Sequence, residues 1–187
     1  KLGEARIISF GDDTKAARAI ASMYYFVRDA ELRRRKWRFS LKRAELPALA
    51  DSPEFGYAYA YQLPADCLAI LSVGEIAPGV DMSDYRTGFD SELYSVEGRT
   101  ILTDLGAPLR LRYKARVTDP TQFDLAFVEA LASRLAYELA EDLTQSAAKR
   151  ETAGADYKVA LREAIAANAI EVTPTLLNDD SWLIARQ

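Results

Sequence analysis

Residues 109–146 read LRLRYKARVTDPTQFDLAFVEALASRLAYELAEDLTQS, and this stretch decides the predicted fold. In its first part apolar residues alternate with cations, which is the two-residue period of a strand with one buried and one solvated face. The apolar residues are Leu109, Leu111, Tyr113, Ala115 and Val117, and the cations are Arg110, Arg112, Lys114 and Arg116. The pattern predicts a strand that projects four cations from one side.

A helix is predicted to follow this strand directly. Asp119 suits the N-cap position, and Pro120 suits the first helical position, where its missing N–H costs nothing. Large apolar residues then recur at four-residue steps, namely Phe123, Phe127, Leu131, Leu135, Leu139 and Leu143. Alanines beside them widen the apolar stripe and allow other helices to approach closely. We expect a helix over about 120–146 at the centre of an antiparallel helical bundle.

Two further helices are predicted, over about 14–35 and 147–170. The first has its N-cap at Asp13 or Thr14, after which apolar residues recur every three or four positions. Its last turn is rich in cations, namely Arg33, Arg34, Arg35 and Lys36. Because the macrodipole favours cations at a helix C-terminus, this run predicts first a solvated helix end. A dedicated phosphate site is the alternative.

Between the helices predicted over about 14–35 and 120–146, the pattern predicts an inserted antiparallel β region over about 37–118. Alternation begins at Trp37, continues in an aromatic row at Tyr57, Tyr59 and Tyr61, and gives a tight hairpin turning near Glu97-Gly98. Residues 67–73 form a short apolar run, and 74–92 contain the turn residues of a long loop. The aromatic row could stack bases, but a sheet face covered by helices is the commoner explanation.

Composition limits the possible functions. With 187 residues, 49% of them hydrophobic, the chain is long enough for one domain with a substantial core, and we expect a single domain over 1–187. The net charge of -4 gives no global attraction to nucleic acid or anionic membrane. One cysteine and no histidine exclude an intrachain disulfide, His/Cys zinc sites and histidine-based triads.

No catalytic motif stands out in the sequence. There is no Gly-rich phosphate loop, metal-ligand spacing or nucleophile elbow, and the paired carboxylates fall at caps, helix surfaces and a terminal segment. We therefore expect neither enzymatic activity nor a cofactor. A hydrolase that uses two carboxylates converging in space is the alternative, since sequence alone does not reveal such a pair.

The segment 171–187 is predicted to be an extended C-terminal tail. Pro174 ends the preceding helix, and the segment is then unusually apolar for a linker. After Pro174 it carries the large apolar residues Leu176, Leu177, Trp182, Leu183 and Ile184. Such a cluster needs a pocket, either on another subunit or on the helices of its own chain.

Taken in order, these features resemble the tail tubular protein A type of head-to-tail adaptor in tailed bacteriophages. The likeness covers nearly the whole chain. It rests on the basic run followed by Trp37-Arg38-Phe39, on YQLPADCL at 61–68, on YSVEGR at 94–99, on Leu111-Arg112-Tyr113 with Phe123, and on WLIAR at 182–186. Each motif is short, but their order and spacing together are specific.

The resemblance implies a structural virion protein of the α+β class. Such proteins form a homo-oligomeric ring, here expected to have twelve copies, between the portal protein and the tail nozzle protein. The ring forms part of the channel through which double-stranded DNA passes, and it serves in retaining and ejecting the genome. The resemblance places the protein in the virion tail at the portal vertex, after synthesis in the host cytoplasm, without a membrane partner.

The alternative function is a nucleic-acid-binding module. It would use the cations within residues 33–43 together with those within 110–116. Binding of this kind is electrostatic and weakens steeply with salt.

Overall fold

The computed structural model describes residues 2–3, 7–74 and 93–170. In these ranges it contains three helices and two small antiparallel three-stranded sheets, which confirms the α+β class. The helices are α1 (Lys15–Arg34), α2 (Leu125–Thr144) and α3 (Ala147–Ile170). The strands are β1 (Leu41–Leu46), β2 (Tyr59–Gln62), β3 (Cys67–Val73), β4 (Ser95–Glu97), β5 (Thr100–Thr103) and β6 (Leu109–Ala115). The sheet orders are β1-β6-β3 and β2-β5-β4.

The described residues form two compact units. The helical unit takes those within Lys1–Arg43, Pro64–Ile70 and Arg112–Ala169, and the β unit takes those within Ala44–Leu63 and Leu71–Leu111. Strands β1, β3 and β6 each contribute residues to both. The predicted tail and most of the predicted loop at 74–92 lie outside the described residues, and so do the docking candidates Leu176, Leu177, Trp182, Leu183 and Ile184.

Helix α1 begins as its capping residues dictate. The Thr14 hydroxyl accepts a hydrogen bond from the Ala17 N–H, which satisfies one free donor of the first turn. The helix ends at Arg34, within one residue of the predicted end. The Thr14 cap is therefore confirmed.

The predicted start of the central helix is wrong. Asp119 does accept a hydrogen bond from the Thr121 N–H, but it caps only a 3₁₀ turn over Pro120–Gln122. Asp124 provides a second cap, accepting from the N–H groups of Ala126 and Phe127, and α2 starts only at Leu125. Phe123 thus lies before the helix, because Asp124 caps a new helix immediately after the first turn.

The predicted strand at 37 is also wrong. Residues Arg38–Ser40 form a 3₁₀ turn, and β1 begins only at Leu41. Trp37 is 1% exposed, and its ring packs edge-on against Phe127 at 5.0 Å, while the Phe39 ring lies 5.0 Å from the same ring. Burial of these aromatic rings against α2 outweighs the alternating pattern.

The core of the helical unit gathers residues from all three helices. Its buried members are Val27, Leu32, Trp37, Val117, Phe123, Phe127, Ala130, Leu131, Ala160 and Ala164. Gly154 allows α3 to approach α2 closely, because a Cβ atom there would lie 3.1 Å from Cδ2 of Tyr137. A glycine inside a helix costs stability relative to alanine, and at this position it has a packing reason.

Strand β6 confirms the alternating pattern. Leu109, Leu111, Tyr113 and Ala115 are all buried, whereas Arg110 is exposed. The hairpin of β4 and β5 is confirmed as well, with Glu97 paired to Thr100 and Gly98 at a φ of 59° in the loop. The positive φ explains the glycine, since other residues adopt it at a cost.

The β2-β5-β4 sheet buries the centre of one face in the β unit. Tyr61 pairs with Ile101, both are 0% exposed, and the Tyr61 hydroxyl donates to the Leu105 carbonyl at 2.7 Å. Tyr59 is 40% exposed, so the predicted aromatic row is buried at one member and open to solvent at another. Cys67 is buried at the start of β3, in line with a core role.

Candidate functional site

The two basic stretches predicted as an interface meet at the C-terminal end of α1. Nζ of Lys114 in β6 donates a hydrogen bond to the Arg33 carbonyl oxygen at 2.8 Å. The side chains of Arg33, Arg35 and Lys36 around it are exposed. Residues more than 80 positions apart in the chain thus form one basic cluster, which we call the α1-end cluster.

Lys114 shows how concentrated this positive charge is. Burial lowers the pKa of Lys114, and the neighbouring charges of Lys36, Arg33 and Arg35 lower it further. In its protonated form Lys114 donates to one of the carbonyl groups that a helix end leaves without a partner. The lysine therefore has a structural role as a cap, besides adding to the positive potential.

Most of the other cations predicted as a basic interface form ion pairs with carboxylates of the same chain. Arg116 Nε donates to Asp29 at 2.7 Å, and Asp29 also accepts two hydrogen bonds from the buried Arg28. In the β unit, Arg110 Nε lies 3.3 Å from Glu45. Arg112 is half-buried in β6. Exposed ion pairs of this kind contribute little to stability, but they reduce the positive charge available to a phosphate.

A buried polar cluster lies beside the α1-end cluster. Glu31, 2% exposed, accepts a hydrogen bond from the Tyr157 hydroxyl at 2.9 Å and one from Arg34 at 3.3 Å. Its other carboxylate oxygen, Oε2, has no hydrogen-bond partner among the described residues. The indole N–H of Trp37 donates to the Glu31 carbonyl oxygen at 2.9 Å. We call Glu31, Arg34 and Tyr157 the Glu31 cluster.

A second carboxylate binds a tyrosine and a cation in a more open setting. Asp66 accepts hydrogen bonds from Lys42 at 2.7 Å and from the Tyr113 hydroxyl at 3.1 Å. Burial alone would raise the pKa of Asp66, but the two hydrogen bonds outweigh it and hold that pKa below its ordinary value. Burial and the bond to Asp66 raise the pKa of Tyr113 to about 12. Neither Glu31 nor Asp66 was singled out from sequence as a partner of these residues.

Large apolar side chains are exposed on two helices. On α1, Tyr25 is 58% and Phe26 75% exposed; on α2, Leu125 is 86% and Val128 42% exposed. These residues are not among the sites predicted from the sequence. Their positions gave a signal for exposure, because they fall on the polar face of each amphipathic helix, away from the core.

A shallow groove of about 230 Å³ lies in the helical unit. It is lined by Leu2, Ser133, Ala136, Ala148, Lys149, Thr152, Ala153 and Asp156. None of the residues predicted as a basic interface lines it.

Two properties of the described ranges concern metal binding and membrane insertion. These ranges contain no group of three or more His, Cys, Asp or Glu side chains that could hold a metal ion. No helix described in them combines the length and the hydrophobicity needed to cross a membrane.

No protein-family model matches the chain, and no curated protein matches it significantly.

Proposed function

We propose that this protein is a structural virion component, a head-to-tail adaptor. Copies of the chain form a ring, of twelve subunits by the family resemblance, between the portal and the tail nozzle. The observation that carries the proposal is the exposure of large apolar side chains on the helices, with Phe26 75% and Leu125 86% exposed. Exposed apolar groups of this size are typical of proteins that work through contact surfaces.

The order of elements gives further support. The basic run lies at the end of α1, YQLPADCL spans the end of β2 and the start of β3, and YSVEGR includes β4 and the hairpin loop. Leu111-Arg112-Tyr113 lies in β6, and Phe123 comes just before α2. Each motif of the resemblance that falls on described residues thus lies within or next to a regular element.

We further propose that the three helices form an antiparallel bundle. The Lys15 side chain at the start of α1 donates to the Asp142 carbonyl near the end of α2, as expected for neighbours running in opposite directions. Only two residues separate α2 from α3, which favours an antiparallel pair.

The C-terminal tail is proposed to attach the adaptor to the portal or to a neighbouring copy. Burial of Trp182 with Leu183 and Ile184 would contribute about 4 to 8 kcal/mol before the ordering cost is subtracted. Repetition around a ring multiplies this effect. The proposed location is the portal vertex of the virion, where double-stranded DNA passes through the ring.

The tail provides the test of this function. Deleting residues 181–187, or changing Trp182→Ala, should leave the melting temperature of the isolated protein nearly unchanged and severely weaken attachment to the portal. Negative-stain imaging of adaptor mixed with portal would count attached rings, and calorimetry would report stability. Wild-type protein that neither forms rings nor binds the portal would contradict the proposed function. Lost stability with intact attachment would place the tail in the subunit's own core.

A nucleic-acid-binding module is the second candidate, favoured by the α1-end cluster. Its exposed Arg33, Arg35 and Lys36 could contact phosphates. The test is binding of duplex DNA at several salt concentrations, with Arg35→Glu and Lys36→Glu as variants. Tight binding at physiological salt that both variants abolish, with assembly intact, would favour the module over the adaptor.

A further inference from the structure

The helical unit carries two exposed apolar patches that its own core does not use. The aromatic patch is Tyr25 and Phe26 on α1. The aliphatic patch is Leu125, Val128 and Ala132 on α2, which are all exposed.

The aliphatic patch is a continuous stripe of α2. Its three residues are spaced by three and four positions, so they lie on one side of the helix. The core residues Phe127 and Leu131, 0% and 5% exposed, lie about 100° around the helix from Val128 and Ala132. The stripe therefore points away from the core of the helical unit.

The aromatic patch points away from the core on a different helix. Val27, the residue after Phe26, is 3% exposed and belongs to the core, about 100° further around the helix. The two patches therefore lie on different helices.

The surroundings of the aromatic patch are basic. Arg18 precedes Tyr25 by seven positions and Arg33 follows Phe26 by seven, so both lie on the same side of α1 as the patch. Arg28 lies over the Tyr25 ring at 5.4 Å, and Arg116 is bound to Asp29. The four arginines outnumber Asp13 and Asp29, the two aspartates that pair with them.

The surroundings of the aliphatic patch are acidic. Asp124 immediately precedes Leu125 as the helix cap, and Glu129 follows Val128 on the exposed side. Asp119 lies in the 3₁₀ turn just before, where hydrogen bonds from Thr121 lower its pKa and keep it charged. The two apolar patches thus carry opposite charges at their edges.

We infer that the aliphatic patch of one copy docks on the aromatic patch of a second copy. Opposite charge is what would pair one patch with the other and prevent either from pairing with itself. Such a head-to-tail contact uses a different surface on each partner, so it repeats from copy to copy until a ring closes. The inference rests on the proposed function in assigning this contact to the adaptor ring.

The experiment uses two variants that each destroy one patch. Leu125→Arg places a cation against the basic surroundings of the aromatic patch, and Phe26→Ser removes the more exposed of the two rings in that patch. Val159→Arg is the matched control, since Val159 is 49% exposed on α3 and belongs to neither patch. Circular dichroism confirms that each variant is folded, and sedimentation velocity over a concentration series measures self-association.

Either patch variant alone should weaken self-association by at least about 30-fold, the change produced by a typical hot-spot residue. Val159→Arg should behave as wild type. Mixing the Leu125→Arg and Phe26→Ser proteins should restore association, but only to dimers, because each mixed pair retains one intact contact. This capped dimer is the signature of a head-to-tail interface.

Three results would overturn the inference. Assembly that neither variant weakens would exclude the patches while leaving the adaptor function intact. Variants that each still form dimers alone, with no change in the mixture, would show that each patch pairs with the same patch of another copy. A wild-type protein that stays monomeric at high concentration, with portal binding lost in both variants, would assign the patches to the portal instead.

Discussion

Two carboxylate sites in the helical unit use the same three groups in different surroundings. Glu31 and Asp66 each bind a tyrosine hydroxyl, from Tyr157 at 2.9 Å and from Tyr113 at 3.1 Å, and each also binds a cation. The side chain of Glu31 is 3% exposed, whereas that of Asp66 is 32% exposed. Burial is therefore the main difference between them.

Because of this difference in burial, the Glu31 site should affect mainly the stability of the fold, and the Asp66 site mainly its pH dependence. A buried carboxylate that loses a partner has no water to replace it, so its partners are structurally essential. A partly exposed carboxylate can exchange a lost partner for water, so its main effect is on the pH dependence of folding. The helical unit thus tolerates change at Asp66 more readily than at Glu31.

The largest expected effect is that of Tyr157→Phe. It removes the hydroxyl from Glu31, whose Oε2 atom already has no hydrogen-bond partner among the described residues. The free energy of unfolding should fall by about 3 kcal/mol, the upper range for a hydrogen bond to a charged group, because the Glu31 carboxylate then retains only Arg34 at 3.3 Å. Urea denaturation measures it.

Tyr113→Phe is the matched control for that change. It deletes the equivalent hydroxyl at Asp66, which retains Lys42 at 2.7 Å and access to water. A loss of only about 1 kcal/mol is expected. Equal losses for the two variants would contradict the comparison.

The next effect is a recovery of stability. Combining Glu31→Leu with Tyr157→Phe removes both members of the buried pair, and Arg34, 44% exposed, can be hydrated. The double variant should regain about 2 kcal/mol relative to Tyr157→Phe alone, because the buried charge is absent. A double-mutant cycle by urea denaturation checks this. Simple additivity of the two losses would show that Glu31 and Tyr157 are not coupled.

The smallest expected effect is on the alkaline side of the pH profile. The folded-state pKa of Tyr113 is raised from 10.0 to about 12, so the folded protein holds that proton more tightly. Its contribution is fully present below pH 10 and is lost as the pH rises toward 12. Tyr113→Phe should therefore reduce the downward slope of stability in this window.

The reduction should be partial, since burial also raises the pKa values of Tyr61 and Tyr157. At acid pH, Asp66 gives the opposite dependence, so that stability falls as the pH is lowered. Its lowered pKa gives stability that is lost as the pH falls below about 3.8, its unperturbed value. An unchanged alkaline slope in Tyr113→Phe would show that Tyr113 does not hold its proton more tightly when folded.

The sequence was informative where a residue's surroundings are local. The alternation of β6 and the Thr14 cap depend on neighbours within a few positions, and both are confirmed. The start of α2 was misplaced because two aspartates, Asp119 and Asp124, each cap a turn, and propensity alone does not choose between them.

Long-range partners were not predictable in the same way. Tyr157 reaches Glu31 across 126 positions, and Lys114 reaches the Arg33 carbonyl across 81. No periodic pattern encodes which carboxylate meets which tyrosine, since both are common on helix surfaces. Likewise, the exposure of Phe26 depends on which face of α1 packs against the other helices, and the sequence alone does not give that packing.

The bond from the Trp37 indole to the Glu31 carbonyl has a spectroscopic consequence. Trp37 is 1% exposed, and the chain has only one other tryptophan, Trp182. In a Trp182→Phe protein, all tryptophan fluorescence would come from an indole enclosed beside Phe127, and its emission would shift to longer wavelength when the core admits water. Conversely, a Trp37→Phe protein would leave Trp182 as the sole indole fluorophore. The proposed docking of the tail on a portal would then be followed in real time as a shift in the wavelength of tryptophan emission.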